Sequence, residues 1–537
     1  MTRSFISDRR DLLKAAAGLG LLAALSPRLL MAQEFTGPVF RGPLGADPFT
    51  LGVAAGDPWP DGFVIWTRLA PRPLDEHGGM PAARVPVLWE VAEDRAFTRV
   101  VRRGEAMAIP ELGHSVHVEL GGLAPQRPYF YRFATAGSDV SEVGMARTAP
   151  AAGAAVDRLR IAVAGCQNYE QGFYDAWGHI AREPDLDLVF HYGDYIYEGG
   201  PTPMGPREGT WTAARQHVGN EIYSLDDYRR RYALYKSDPA LRRAHAAAAF
   251  ACSFDDHEID NNWVGDFDQD GSDPAVFALR RYAGLQAWYE NMPVRRAQFP
   301  PTGGLTAYRR LDYGRLMRMH VLDTRSYRSD QVCNDGKIQP CPREMLNAPE
   351  VLGRAQEGWL DAGLSAAQGN GAAWNLLAQQ IIVMPVDFRA VDATEGKFAT
   401  DLWDGYRPAR KRLIDTIRRH ELTNVVIATG DHHRHLVGSV PANDEAPDGD
   451  KVAVEFQAAS ISSNGNGKGT AGTEHMMGNN PHFDLYTDRR GYHLFDINDR
   501  EWRTDVKVMD QVEQPGGQIS TLQSYVVTPQ QPVLHRS

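Results

Sequence analysis

The chain has 537 residues, with 57 Lys and Arg against 68 Asp and Glu, a formal charge of −11, and 43% hydrophobic and 23% charged residues. This ordinary globular usage speaks against a disordered or collagen-like chain, and the acidic balance speaks against a basic nucleic-acid-binding surface, so no stable nucleic-acid partner is expected. The length exceeds what one hydrophobic core sustains and predicts two domains behind any targeting segment.

The first such segment is at the amino terminus. Arg9-Arg10-Asp11-Leu12-Leu13-Lys14 followed by apolar Ala15 to Leu25, ending near Pro27, reads as a twin-arginine-type signal peptide over residues 1–32, cleaved after Ala32. Asp8 stands where such motifs usually carry Ser or Thr, a departure that touches the export route more than export itself. The reading predicts a periplasmic or extracellular protein with the twin-arginine export machinery as a partner. No other apolar run is long enough to span a bilayer, so the mature chain is expected to lack a transmembrane segment.

Residues 33–150 have β character. Val85 to Val91 and His114 to Leu120 keep apolar residues mostly at alternate positions, as half-buried strands do. Leu123-Ala124-Pro125 followed by Tyr129-Phe130-Tyr131-Arg132 predicts a fibronectin-like β-sandwich with a tyrosine bonded back across its corner. The Ala- and Pro-rich stretch Thr148 to Val156 reads as a linker, and the remainder, residues 151–537, as the catalytic domain. There, strand-like runs end in polar clusters: Leu159 to Ala164 before Cys166, Leu186 to Tyr192 before Asp194, Ala247 to Phe254 before Asp255, Val425 to Ala428 before Asp431. Helical patterns intervene around Leu225 to Tyr235, Val276 to Glu290 and Pro408 to Arg419. Strands alternating with helices predict an α/β domain with a buried sheet and functional groups where the strands end. Of the four cysteines, Cys333 and Cys341 bracket a short loop and are expected to pair in an oxidising compartment, while Cys252 reads as a core residue.

The strand ends supply Cys166, then Asp194 and Tyr197, then Asp255-Asp256-His257-Glu258, then Asp431-His432-His433-Arg434-His435. Phosphate esters resist hydrolysis because their anionic oxygens repel nucleophiles. Paired cations answer this: one lowers the pKa of a water so that hydroxide forms, and both neutralise charge in the transition state. Asp194, preceded by glycine and followed closely by Tyr197, suits a bridge between two ions. A thiol and a phenol suit a strongly Lewis-acidic ion such as Fe3+, and carboxylates suit Ca2+, Mg2+ or Mn2+, so the inventory predicts a mixed cluster.

Gly-Cys-Gln-Asn-Tyr-Glu-Gln-Gly at 165–172, Gly-Asp-Tyr-Ile-Tyr-Glu at 193–198, Asp-Asp-His-Glu at 255–258 with Asn-Asn-Trp at 261–263, and Gly-Asp-His-His at 430–433 resemble the alkaline phosphatases of the PhoD type. Leu51 to Pro58, Val64 to Arg68, Leu322 to Arg325 and Trp374 to Gln380 extend the resemblance over nearly the whole mature chain. It implies an N-terminal fibronectin-like β-sandwich followed by a two-sheet, calcineurin-like metallophosphoesterase domain flanked by helices. It also implies hydrolysis of a small-molecule or polymeric phosphate ester with Fe3+ and Ca2+ as cofactors. Carried over by motif, Cys166, Asp194, Tyr197 and His433 would hold iron, with Asp194 bridging to calcium and Asp256 and Asp431 completing the calcium side. His257 is the residue for orienting phosphate or protonating the departing alkoxide, and Asn262 a weaker substrate contact.

Alternatives stay open at this level. His432 or His435 could face the metal in place of His433, and Asp255 could cap or salt-bridge or exchange roles with Asp256. His191 is expected to pack in its strand, and Asp323 and Arg325 to form an ion pair beside the sheet. The rival functions are a dedicated phosphodiesterase acting on phospholipid or teichoic-acid-like substrates, and a non-catalytic calcium-binding envelope protein. Structural calcium has no need of Cys166 or Tyr197, which disfavours the last.

Overall fold

A computed structural model describes residues 37–537 apart from 138, 207–211, 300–303, 339, 367, 368 and 370, so the segment from Arg9 to Ala32 lies outside the described residues. The N-terminal strands divide between two sheets. Val85–Ala92, Val100–Ala108, Pro128–Thr135 and Gly144–Arg147 make a four-stranded sheet. Val53–Trp59, Gly62–Arg68 and Ser115–Glu119 face it. The alternation read in the sequence puts Tyr129, Tyr131 and Phe133 inward, in one core with Phe63 and Ile65. Tyr129 Oη accepts the Ala124 N–H at 2.9 Å, closing the corner of the sandwich.

The sandwich is not a detached body. Val53–Trp59 pairs in parallel with Ala249–Cys252, Ala55 opposite Ala249, so one sandwich sheet is the end of a ten-stranded sheet that runs into the larger domain. Six of the seven residues of Val53–Trp59 are buried, which is what a strand covered on both faces requires. The hydrogen-bonded sheet thus joins residues from both sides of the Ala- and Pro-rich stretch.

A seven-stranded sheet stacks on the ten-stranded one, and Val163, Phe190, Met319, Leu376, Val426 and Phe456 fill the space between them. Helices cover both outer faces. Leu225–Lys236, Pro239–Ala247 and Pro274–Asn291 lie on the first, Gly353–Leu364 and Arg407–Arg419 on the second. Their starts are written locally: Ser224 and Asp227 form a reciprocal capping box, and Asp238 and Asp273 cap helices whose first residue is proline. No helix among the described residues is long and apolar enough to cross a membrane.

Parallel pairing places the chemistry. In the first sheet Leu159–Ala164, Leu188–His191 and Ala249–Cys252 run side by side, with Ala164 opposite His191 and His191 opposite Cys252. In the second, Val321, Ala378, Ala428 and Phe456 stand in one row of four parallel strands. In-register parallel strands end together, so the loops carrying Cys166, Asp194 and Asp255 leave one edge and those carrying Arg325, Asp431 and Ser463 leave the facing edge. The edges are sewn together by Ile461 N–H donating to Gly165 O at 3.0 Å and Ser463 N–H to Cys166 O at 3.3 Å.

Cys333 and Cys341 are joined by a disulfide, eight residues apart in sequence, over a small cluster with Leu346. Cys166 and Cys252 are free and buried. Closing so short a loop restricts the unfolded chain modestly, so the C333S/C341S double variant is expected to lose about 2–3 kcal/mol, read as a lower urea midpoint with an unchanged slope.

Candidate metal centre

The glycines that precede two of the site residues have a packing cause. A methyl group on Gly165 or Gly430 would lie 2.4 or 2.1 Å from the ring of Tyr192, which is fully buried and donates its hydroxyl proton to Ala459 O at 3.1 Å. Bare backbone lets the turns after both sheets close on this one ring, and Cys166 Sγ comes within 3.9 Å of Asp431 O. The residues that follow are held in the left-handed region, with φ of 48° at Cys166, 53° at Asp194, 55° at Asn262, 64° at Asp431 and 55° at His433. Side chains rarely adopt this conformation, and its repetition around one point marks a place where the surroundings overrule local preference.

Among the described residues, three groups of donors have ligand atoms within 4.8 Å of one another: Cys166, Asp194 and His433; Asp194, Asp256 and His257; Asp255, Asp256 and Asp431. Asp194 belongs to the first two and Asp256 to the last two. Tyr197 joins the first, donating to Asp194 Oδ2 at 2.9 Å with its oxygen 3.1 Å from His433 Nε2. Asn262 N–H donates to Asp256 Oδ2 at 2.7 Å, and its half-buried carboxamide is engaged by no protein hydrogen bond among the described residues. His257 Nδ1 lies 2.7 Å from Glu198 Oε2, and its ring packs on Tyr197 at 4.0 Å between centroids.

The other histidines are spoken for. His432 Nε2 meets Tyr486 Oη at 3.1 Å, His435 Nδ1 meets His493 Nε2 at 3.0 Å, and His191 stacks on Trp177 in its strand. The expected Asp323–Arg325 ion pair is not formed. Asp323 Oδ1 instead accepts the backbone N–H groups of Arg325 and Ser326, at 3.0 and 2.9 Å. The Arg325 guanidinium, wholly buried, crosses to the first sheet: Nε donates to Asp255 Oδ1 at 2.6 Å, the fork grips Asp401 at 2.9 and 3.0 Å, and Nη2 stands 3.6 and 3.8 Å from Asp256 and Asp431. The sequence names Glu258 within its acidic run but assigns it no role; its carboxylate accepts the N–H groups of Asp194 at 3.0 Å, Asp255 at 2.7 Å and Tyr195. It ties two ligand-bearing loops together. Nothing in a run of acidic residues distinguishes a group that faces backbone from one that faces an ion.

This concentration of buried carboxylates is electrostatically incomplete. Burial, with Asp256 nearby, pushes Asp194 up to about 7 despite the opposing pull of His257. Burial likewise pushes Asp255 up to about 8 against the pull of Arg325, and Asp431 well above the carboxylate range. The Cys166 thiol and Tyr197 phenol are raised by burial and by the Asp194 carboxylate beside them. Burial opposes protonation of His257, but Glu198, Asp256 and Asp194 outweigh it and hold its pKa well above the usual imidazole value. Asp194 Oδ1, Asp255 Oδ2 and Asp256 Oδ1 are buried without a hydrogen-bond donor among the described residues. Anionic oxygens left this way require cations, and a thiol, a phenol and an imidazole beside carboxylates are donor types that metal ions take. The residues fit a multinuclear metal centre.

Comparison with known proteins agrees with this architecture. The family model described as PhoD-like phosphatase matches residues 161–506, and that described as PhoD-like phosphatase, N-terminal domain, matches residues 37–150. Alkaline phosphatase D of Bacillus subtilis (strain 168) is 42% identical over 526 residues, 97% of this chain and 88% of the relative. The solved structure of PhoD superposes with a TM-score of 0.86 at 42% identity, covering 92% of each chain. Purple acid phosphatase PPD1 from yellow lupin seeds, at 13% identity and a TM-score of 0.52 over 89% of this chain and 73% of its own, shares the fold. A single family thus accounts for both halves of the molecule and for the strand ends where its carboxylates gather: the chain belongs to the PhoD-like phosphatases and is a phosphoric ester hydrolase.

Proposed function

We propose that the chain is an exported, metal-dependent alkaline phosphatase and phosphodiesterase holding one Fe3+ with Ca2+, in which residues 33–150 buttress a catalytic unit of residues 151–537. The observation that carries the reading is the overlap of the three donor groups through Asp194 and Asp256. Cys166, Asp194, Tyr197 and His433 would hold iron, and Asp194, Asp256 and Asp431 would hold calcium. Bound cations would activate water as the nucleophile and neutralise charge on the phosphoryl oxygens.

The chain's own residues supply the rest. Asn262 presents its carboxamide to a phosphoryl oxygen while its backbone braces Asp256. Glu198, itself held by the Asn261 N–H at 3.0 Å, grips His257 Nδ1 and leaves Nε2 to deliver a proton to the alkoxide as it departs in line with the attacking oxygen. His257→Asn is therefore expected to lower kcat on alkyl phosphates by about 10²–10⁴-fold, and far less on p-nitrophenyl phosphate, whose leaving group needs no proton. Equal losses on both would remove His257 from the acid role.

The function is tested by elemental analysis of the purified, exported protein together with phosphate release from p-nitrophenyl and bis(p-nitrophenyl) phosphate before and after chelation. Iron and calcium, loss of both activities on chelation, and recovery on adding them back are expected. Full turnover by metal-free protein would overturn the reading, and the ratio of the two rates separates a phosphatase from a dedicated phosphodiesterase.

A further inference from the structure

One stretch of the site was not singled out by any motif: Ser462-Ser463-Asn464, on the loop that follows the strand Lys451–Gln457. It is clamped to the Cys166 loop at several points. Ser462 Oγ donates to Asn168 O at 2.8 Å, Ser463 Oγ accepts the Asn168 N–H at 3.0 Å, and Asn464 N–H donates to Gln171 Oε1 at 2.6 Å. From behind, Arg490 Nη1 donates to Ser463 O at 2.6 Å. The two residues so fixed each touch one donor of the first metal group. Ser463 Oγ, fully buried, lies 2.7 Å from Tyr197 Oη, and the Asn464 carboxamide lies 3.0 Å from His433 Nδ1.

We infer that Ser463 and Asn464 are positioning residues that aim Tyr197 and His433 at the ion shared with Cys166 and Asp194; the inference rests on the iron-side assignment above. For Ser463 the argument is a count of protons. Its single hydroxyl proton has two acceptors in reach, Cys166 O at 2.8 Å and Tyr197 Oη. Cys166 O already accepts the Ser463 N–H at 3.3 Å, whereas the Tyr197 oxygen, on holding the ion, gives up the proton it donates to Asp194 Oδ2 and can then only accept, as an anion that attracts a donor more strongly than a neutral carbonyl does. A hydrogen bond there fixes the ring and draws electron density from the phenol oxygen. For Asn464 the argument is one of tautomer. An imidazole that offers Nε2 to a cation carries its proton on Nδ1, so its neighbour must accept. A half-turn of the carboxamide about Cβ–Cγ replaces Nδ2 with Oδ1 at the same distance, and Asn, which tolerates the left-handed φ of +68°, can hold that acceptor there. The backbone conformation and the side chain serve one purpose: presenting an acceptor at the ring edge.

The test uses the exported holoenzyme and its variants N464G, N464D, S463A and C166S. Iron retained at equilibrium with a competing chelator is measured by elemental analysis, alongside the wavelength of the visible ligand-to-iron absorption band. Glycine accepts the left-handed backbone, so N464G removes the carboxamide without strain. It is expected to hold iron about 10–100-fold more weakly, while N464D, which keeps an acceptor, stays near wild type. S463A is expected to shift the band to longer wavelength. Wild-type retention by N464G, retention by N464D no better than by N464G, or an unmoved band in S463A would overturn the corresponding half of the inference. C166S separates the two levels of argument. If it keeps both iron and the band, the iron-side assignment fails and the inference falls with it. If it loses them while N464G and S463A match wild type, this inference alone fails.

Discussion

Asp194→Asn is expected to abolish phosphate release almost completely while leaving the fold intact. Asp194 is shared by the donor group of Cys166 and His433 and by that of Asp256 and His257. Its loss removes the one anionic link between them, and forfeiting several kcal/mol of transition-state charge stabilisation corresponds to about 10³-fold in kcat. The backbone has no reason to move. Asn is isosteric, tolerates the φ of 53°, and keeps the N–H donated to Glu258 at 3.0 Å. The metal-free protein carries a second signature. Burial raises the Asp194 pKa from 3.8 to about 7, so across that window the folded state binds more protons than the unfolded state and the group's contribution to stability falls as pH rises. Metal-free D194N lacks this loss and is expected to equal or exceed metal-free wild type in thermal stability at pH 8. Full turnover by D194N with normal metal content would refute the bridging role.

The largest expected loss of stability comes from Arg325→Met. Burial lowers the pKa of this guanidinium, but Asp255, Asp401, Asp256 and Asp431 outweigh it and hold the pKa well above that of a free arginine. Arg328 also pairs with Asp401 at 2.6 Å, so removing Arg325 falls hardest on Asp255, at 2.6 Å from Nε, and on Asp256, at 3.6 Å from Nη2, both buried. Breaking a buried pair this way costs about 3–5 kcal/mol, read as a lower urea midpoint. Arg325→Lys keeps the charge but loses the fork on Asp401 and is expected to recover only part of it. Added calcium is expected to return stability to the Met variant, since a cation among Asp255, Asp256 and Asp431 replaces the missing charge. An unchanged midpoint in R325M would show that these carboxylates need no internal counter-ion.

Much of this was written in short stretches of the chain. Leu159–Ala164 is a strand over the residues its apolar run predicts, helices form at Leu225–Lys236 and Pro274–Asn291 where the patterns around Leu225 to Tyr235 and Val276 to Glu290 place them, and Tyr129 closes the corner its neighbours imply. The strand-end positions of Cys166, Asp194, Asp256 and Asp431 were legible for the same reason: periodicity, capping and turn glycines act over a few residues and leave a local signature. The motif assigned His433 to the cluster but left His432 and His435 open. His432, His433 and His435 are separated by the partners Tyr486, Tyr197 and His493, which come from distant parts of the chain. Arg325 was misread toward its sequence neighbour Asp323, because the carboxylates it meets, Asp255 and Asp401, come from another sheet and another loop. Ser463, 297 residues from the Cys166 carbonyl it touches, gave no signal at all. By itself the sequence determined which side chains stand at strand ends; only the stacking of two sheets decided which of them face one another, because contacts across an interface depend on packing that no local pattern encodes.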